Sequence, residues 1–181
     1  MGDPYFDAYY ASTVEFLNNS AVYQQTTVRA AGAALLDRIG KPVVLIAHSQ
    51  GALMPWLIVD VRPKRVHSII AIEPTGPPFR EAIFSTTAMR AYGLTDAPLT
   101  YDPPVHDPAV DLVERTIISN SSAVSNCTLQ SNDPPSRQLV DLKGIPVMVL
   151  TTEASYHVPY DCCTVRSVSY THLTLPTILR V

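Results

Sequence analysis

The chain has no run of about 18 apolar residues, the length a membrane-spanning helix needs. It has no C-x-x-C, and no pair of histidines at metal-ligand spacing, so no metal site is read. It has no excess of basic charge: 13 Lys and Arg stand against 16 Asp and Glu, a formal net charge of −3. That removes the electrostatic case for nucleic acid or an anionic membrane as partner. The opening MGDPYFDAYYAST lacks both a basic n-region and an apolar h-region, so no signal peptide is read there. Gly2 is followed at residue 6 by Phe6, where N-myristoylation requires Ser or Thr. What remains is a 181-residue chain that is 46% hydrophobic and 16% charged, a globular composition at the size of one domain.

Proline is plentiful, with 16 residues concentrated between 74 and 159, which reads as long loops in that half. Residues 5–39 read as helical. In TVRAAGAALLDRI the 3.6 period places Val28, Ala31, Leu35, Leu36 and Ile39 on one face, and Gly40 with Lys41-Pro42 ends the helix. VVLIA (43–47) is β-branched without alternation, the pattern of a strand buried on both faces in a parallel sheet. Residues 51–61 return to helix. HSIIAIEP supplies a second buried strand at 67–73 and IPVMVLTTE a third at 145–153, while DPAVDLVERTI (107–117) is expected to be a helix capped by Asp107 with Pro108 first. Strand, helix, strand, insertion, strand is an α/β order with a mostly parallel sheet and flanking helices.

Between the first strand and the second helix stands Ala47-His48-Ser49-Gln50-Gly51. A nucleophilic serine must stand clear of the backbone beside an oxyanion site, and a sharp strand-to-helix turn with small flanking residues achieves both. Ala47 occupies the first small position, a methyl where glycine is usual, and Gly51 keeps the second. The N–H of Gln50, opening the helix, is the expected oxyanion donor. His48 is read as a packing or hydrogen-bonding neighbour rather than the base, and Met54 and Trp56 as helix packing.

A serine nucleophile needs a histidine, and the histidine a carboxylate. Glu73 and Glu153 each follow a buried strand. LIAHSQGALMPWLIVDVRPKRVHSIIAIEPTGPPF and IPVMVLTTEASYHVPYDCCTV resemble a family of secreted bacterial and fungal α/β-hydrolase esterases, over residues 4–166. In that family the elbow is followed by Glu-Pro-x-Gly-Pro-Pro, matched by Glu73-Pro74-Thr75-Gly76-Pro77-Pro78. The resemblance implies Ser49 as nucleophile and Glu73 as acid, with Glu153 the alternative acid. It also implies a histidine in a loop after the last core strand. His67 begins a strand at its wrong end, His106 sits in the Pro-rich insertion, His157 in EASYH follows a strand at the correct edge and is a possible pocket residue, and His172 lies in an anomalous tail. The catalytic histidine is therefore expected to be absent, along with the strands that precede the elbow. The chain reads as a partial α/β-hydrolase fold over 1–166, with an apolar sheet face left exposed and a cap-like insertion over about 79–138.

From Ser167, SVSYTHLTLPTILRV resembles a translated sequencing-adapter artefact, so 167–181 is expected to be non-native; a real C-terminal strand is the alternative. The three cysteines allow at most one pair. The resemblance pairs Cys127 with Cys163; a vicinal Cys162–Cys163 bond or three reduced thiols are the alternatives. Sequons at Asn18, Asn120 and Asn126, taken with the cysteines, point to a secreted parent protein. The function these residues imply is a serine carboxylic-ester hydrolase working through an acyl-enzyme on a small-molecule ester, without a cofactor, and inactive as it stands. Thioesterase, lactonase or amidase chemistry is the alternative within enzymes, and a non-catalytic binding module outside them. Oligomeric state is not legible.

Overall fold

A computed structural model describes residues 2–13, 18–82, 85, 87–121, 123–171 and 177–180. The expected helix over 5–39 is two helices. Helix α1 (Pro4–Ser12) is capped by Asp3, whose carboxylate accepts from Tyr5 N at 2.8 Å, and α2 (Ala21–Ile39) is capped by Ser20. Gly40 ends α2 in the left-handed conformation (φ 73°). The buried face of α2 matches the expected one only at Leu36. Gln25 and Ala33 point inward with it, while Val28, Ala31, Leu35 and Ile39 are exposed. The reason is Gly32: a Cβ there would lie 2.6 Å from Ile58 Cδ1, so the helix turns its smallest residue toward α3 (Met54–Val61).

Strand β1 (Val43–His48) is followed by a 3-10 turn, Ser49–Leu53, that runs directly into α3. Strand β2 (Val66–Ile72) and, after a long insertion, β7 (Val147–Thr151) complete the parallel core with register Ala47↔Ala71 and Ala71↔Val149. Thr177–Arg180 (β8) adds a fourth parallel strand beside β7, in the order β1-β2-β7-β8. Helix α5 (Asp161–Thr171) passes through residue 167 without a break, and Val168 is part of the core.

The expectation of strands buried on both faces is corrected. In β1 burial alternates: Val43, Leu45 and Ala47 pack inward, while Val44 is 46% and Ile46 65% exposed. Helix α3 packs on the inward face, where Leu36 of α2 joins the same core; on the opposite face Val44 and Ile46 stand exposed, while Ile70, Ile72, Met148 and Leu150 are half-buried. The exposed apolar face read from the sequence is therefore present on this strand.

The insertion contains antiparallel pairs that were not expected. Tyr101–Asp102 (β3) pairs with Gln138–Leu139 (β6), and Glu114–Ile117 (β4) with Cys127–Gln130 (β5). The expected helix over 107–117 is only one turn, α4 (Pro108–Asp111). Asp107 caps it as expected, but the chain then straightens because Glu114–Ile117 finds a strand partner. The Cys127–Cys163 disulfide joins β5 to α5 with the two Cα atoms 5.2 Å apart. Cys162 lies outside the bridge, its Sγ 4.0 Å from that of Cys163. These three sulfurs are the nearest approach to a metal-ligand cluster among the described residues, and two are spent in the bridge.

Candidate active site

The parallel register dictates which residues meet at the carboxyl edge of the sheet. His48 pairs with Ile72 and Ile72 with Leu150, so the next residues, Ser49, Glu73 and Thr151, leave three adjacent strands side by side. Two of these turn through the left-handed region, Ser49 at φ 54° and Glu73 at φ 45°. Neither is glycine, and a side chain in that region costs of order 1–3 kcal/mol unless the surroundings impose it. At Ser49 the strain bends strand into helix within one residue, the conformation expected of an exposed nucleophile. Thr75 N donates to Ser49 O at 3.2 Å, tying the two turns together.

Ser49 and Gln50 line a cavity of about 260 Å³. Its walls come from α2 (Gln24, Gln25), from α3 (Met54), from the insertion (Met89, Arg90) and from the loop after β7 (Tyr156, His157). Met54 packs against the core as expected and also lends a face to this wall, while Trp56 is fully buried as expected. Gly51 needs correction as well. A Cβ there would meet nothing within 4 Å, so no close approach among the described residues requires the glycine.

The Glu73 carboxylate accepts from Thr152 Oγ1 at 2.6 Å and Thr152 N at 3.3 Å, both through Oε1. Oε2 faces His48 Nε2 at 3.9 Å. The Thr152 hydroxyl, seconded by the amide, Ser155 and the nearby His157, holds this carboxyl below the usual glutamate range. Glu153, the alternative acid, is exposed on the turn beyond. His157 is buried, with Nδ1 3.4 Å from Asp161 Oδ1, and Asp161 accepts from Thr151 Oγ1. Burial pushes the Asp161 carboxyl up, against the opposing pull of Thr151 and His157. Among the described residues no histidine is hydrogen-bonded to Ser49. His67 is exposed at the opposite end of β2 from Glu73, His106 is exposed in the insertion, and His172 lies outside the described residues.

On the insertion side, Arg90 is 1% exposed. Its Nε donates to Pro77 O at 2.7 Å, its Nη2 donates to Arg80 O, and Nη1 stands 3.7 Å from Glu81 Oε2. Asp96 accepts from Arg90 N at 2.8 Å and from Gln25 Nε2 at 2.7 Å. Sequence reasoning missed Thr151, Thr152, Asp161, Arg90 and Asp96. Two threonines closing a buried strand, at the edge where Glu73 emerges, were the available signal for the first pair.

Residues 8–169 match the alpha/beta hydrolase family. The chain belongs to that family. It is 38% identical over 164 residues to a fungal protein named "Probable secreted lipase phiG" (Fungal sp., strain ATCC 74256), covering 91% of this chain and 44% of that protein. This α/β-hydrolase chain thus spans less than half the length of its curated relative. Among solved structures, a monoacylglycerol lipase from Paleococcus ferrophilus is similar over 87% of this chain and 65% of its own, at 13% identity and a TM-score of 0.44. A PytH variant is similar over 94% and 70%, at 12% identity and the same TM-score. No described helix is long and apolar enough to cross a membrane. Asn18, Asn120 and Asn126 are exposed; Asn126 Oδ1 accepts from Ser119 N at 2.9 Å.

Proposed function

We propose that this α/β-hydrolase is a secreted serine carboxylic-ester hydrolase. The observation that carries the reading is Ser49, held at φ 54° between a parallel strand and a helix, on the wall of a cavity and one strand from Glu73. Ser49 Oγ attacks the carbonyl carbon of a small-molecule ester. The proton passes to a histidine, the alcohol leaves, and water then releases the acid from the acyl-enzyme. The Gln50 N–H, in the first turn after the strand, donates to the oxyanion. Glu73 orients the histidine and stabilises its charged form. None of the described histidines is placed for that role: His48 is largely exposed, His157 is engaged with Asp161, and His67 and His106 are exposed. The relative's name and the Cys127–Cys163 bridge both favour secretion.

Chemical rescue tests this. The 181-residue chain should not turn over p-nitrophenyl acetate above background. Added imidazole should produce an increment over imidazole alone, with an acetyl group mapped to Ser49 by mass spectrometry. An increment unchanged in Ser49→Ala would end the assignment. Ser49-dependent turnover without imidazole would instead place the base among the histidines present.

A further inference from the structure

The two oxygens of the Glu73 carboxylate do different things. Both Thr152 donors converge on Oε1, while Oε2 is the oxygen turned toward an imidazole, that of His48. We propose that Thr152 is the positioning residue of the triad acid: it pins one oxygen of Glu73 so that the other is presented to the catalytic histidine. This rests on the reading of Glu73 as that acid.

The need for such a residue follows from the backbone. Glu73 N makes the last ladder bond of β2, to Leu150 O at 2.9 Å, and the chain then turns at φ 45°. The side chain leaves from that turn with three rotatable bonds. A carboxylate that wanders cannot hold an imidazole in one tautomer and one orientation. Strand register solves this. Because Ile72 pairs with Leu150, the residue two places beyond Leu150 reaches across to the residue after Ile72, and that residue is Thr152. Its neighbour Thr151 points the other way, as alternate strand residues do. Thr151 is buried and donates to Asp161, fixing the start of α5. Consecutive threonines therefore secure one carboxylate each, on opposite sides of the strand end. The groups facing Glu73 are His48 from the end of β1, Ser155 and His157 from the loop after β7, and Asp161 from α5.

The test reads Glu73 directly, so it does not depend on turnover. The 181-residue chain is prepared with ¹³C-labelled glutamate carboxyls, and the Glu73 signal is assigned by its loss in Glu73→Gln. Thr152→Val keeps the shape and removes the hydroxyl; Thr152→Ser restores it. The expected result is that Glu73 titrates at higher pH in Thr152→Val and returns in Thr152→Ser, while the other glutamates stay where they were. A Glu73 titration that does not move in folded Thr152→Val overturns the proposal. If Thr152→Val does not fold, Thr152→Ala is read in the same way against Thr152→Ser. Imidazole-supported acylation of Ser49 is measured alongside in the unsubstituted chain. Its absence would remove the esterase reading while leaving the Thr152–Glu73 result intact, so the two failures are told apart.

Discussion

The sheet edge and the insertion solve the same problem by different means. At the edge, Ser49, Glu73 and Thr152 are placed by backbone: three parallel strands in register deliver them, and few side-chain bonds are needed. Among its described residues the insertion has two short ladders, of two and four pairs, and one isolated bridge, Arg80 with Ala88. Its main-chain polar groups must still be satisfied once buried. Long polar side chains do that work. Gln25 accepts from Asp96 N and Ala97 N, both at 2.8 Å, and Asp60 accepts from Thr100 N at 2.7 Å. Arg137 donates to Asp111 O, Pro103 O and Pro104 O, and Arg90 to Pro77 O and Arg80 O. A loop-rich region can thus satisfy its buried backbone without regular structure, provided each clamp is buried or well paired. It follows that single side chains should matter far more to stability in the insertion than at the edge.

The sharpest way to break that comparison is Arg90→Ala. It strands two carbonyls and removes the buried guanidinium beside Glu81, and losing one member of such a pair costs about 3–5 kcal/mol. Urea midpoints measure it. A loss below about 1 kcal/mol would mean the wall does not depend on its clamps. Next in size is the bridge between β5 and α5. Cys127→Ala with Cys163→Ala should lower stability by about 2–4 kcal/mol, chiefly by releasing the unfolded chain. Adding reductant to the unsubstituted protein should reproduce most of that loss, and the double variant should be insensitive to reductant.

The same contrast explains what could be read without coordinates. The elbow was legible because its signals are local: a β-branched run, Ser49 between small residues, and an apolar helix within twenty positions. The place of Glu73 directly after a buried strand was legible in the same way. Helix α4 was half legible. Asp107 and Pro108 do start a helix, but nothing nearby announces that Glu114–Ile117 will be claimed by Cys127–Gln130. The clamps were opaque, since Gln25 meets Asp96 across 71 residues and Glu73 meets Thr152 across 79. A polar residue's role in such a contact has no periodicity to betray it. The face of α2 was misjudged for a related reason. Apolar periodicity favoured Val28, Leu35 and Ile39, while the packing is decided by Gly32 against Ile58 and by Gln25 reaching the insertion.

Smaller effects sharpen the edge side of the comparison. Ser49→Gly relieves a left-handed residue and should raise stability by about 0.5–1 kcal/mol, whereas Ser49→Ala, which keeps a Cβ there, should leave it unchanged. Thermal midpoints of the two variants decide this. Glycine's own entropy cost opposes the gain, so a Ser49→Gly midpoint below that of Ser49→Ala would show that the elbow stores no such strain, and imidazole-supported acylation should be lost in both.

The smallest and most diagnostic effect is in pH dependence, because the two carboxylates held by Thr152 and Thr151 are shifted in opposite directions. Glu73 is held below its ordinary value, first by the Thr152 hydroxyl, so its contribution to stability is complete above the unfolded glutamate range near 4.3 and fades as pH falls through the lower folded value. Asp161 is pushed above its ordinary value by burial. Its protonated form is the one the fold prefers, so stability is complete below the unfolded aspartate range near 3.9 and declines as pH rises through the higher folded value. Urea midpoints taken from pH 3 to 8 should therefore respond to Glu73→Gln on the acid side alone and to Asp161→Asn above it. In Asp161→Asn the decline with rising pH should flatten, because the amide still accepts from Thr151 and carries no charge to bury. If both variants flatten the same limb, the two threonines do not separate the carboxylates, and the strand end holds a single coupled cluster.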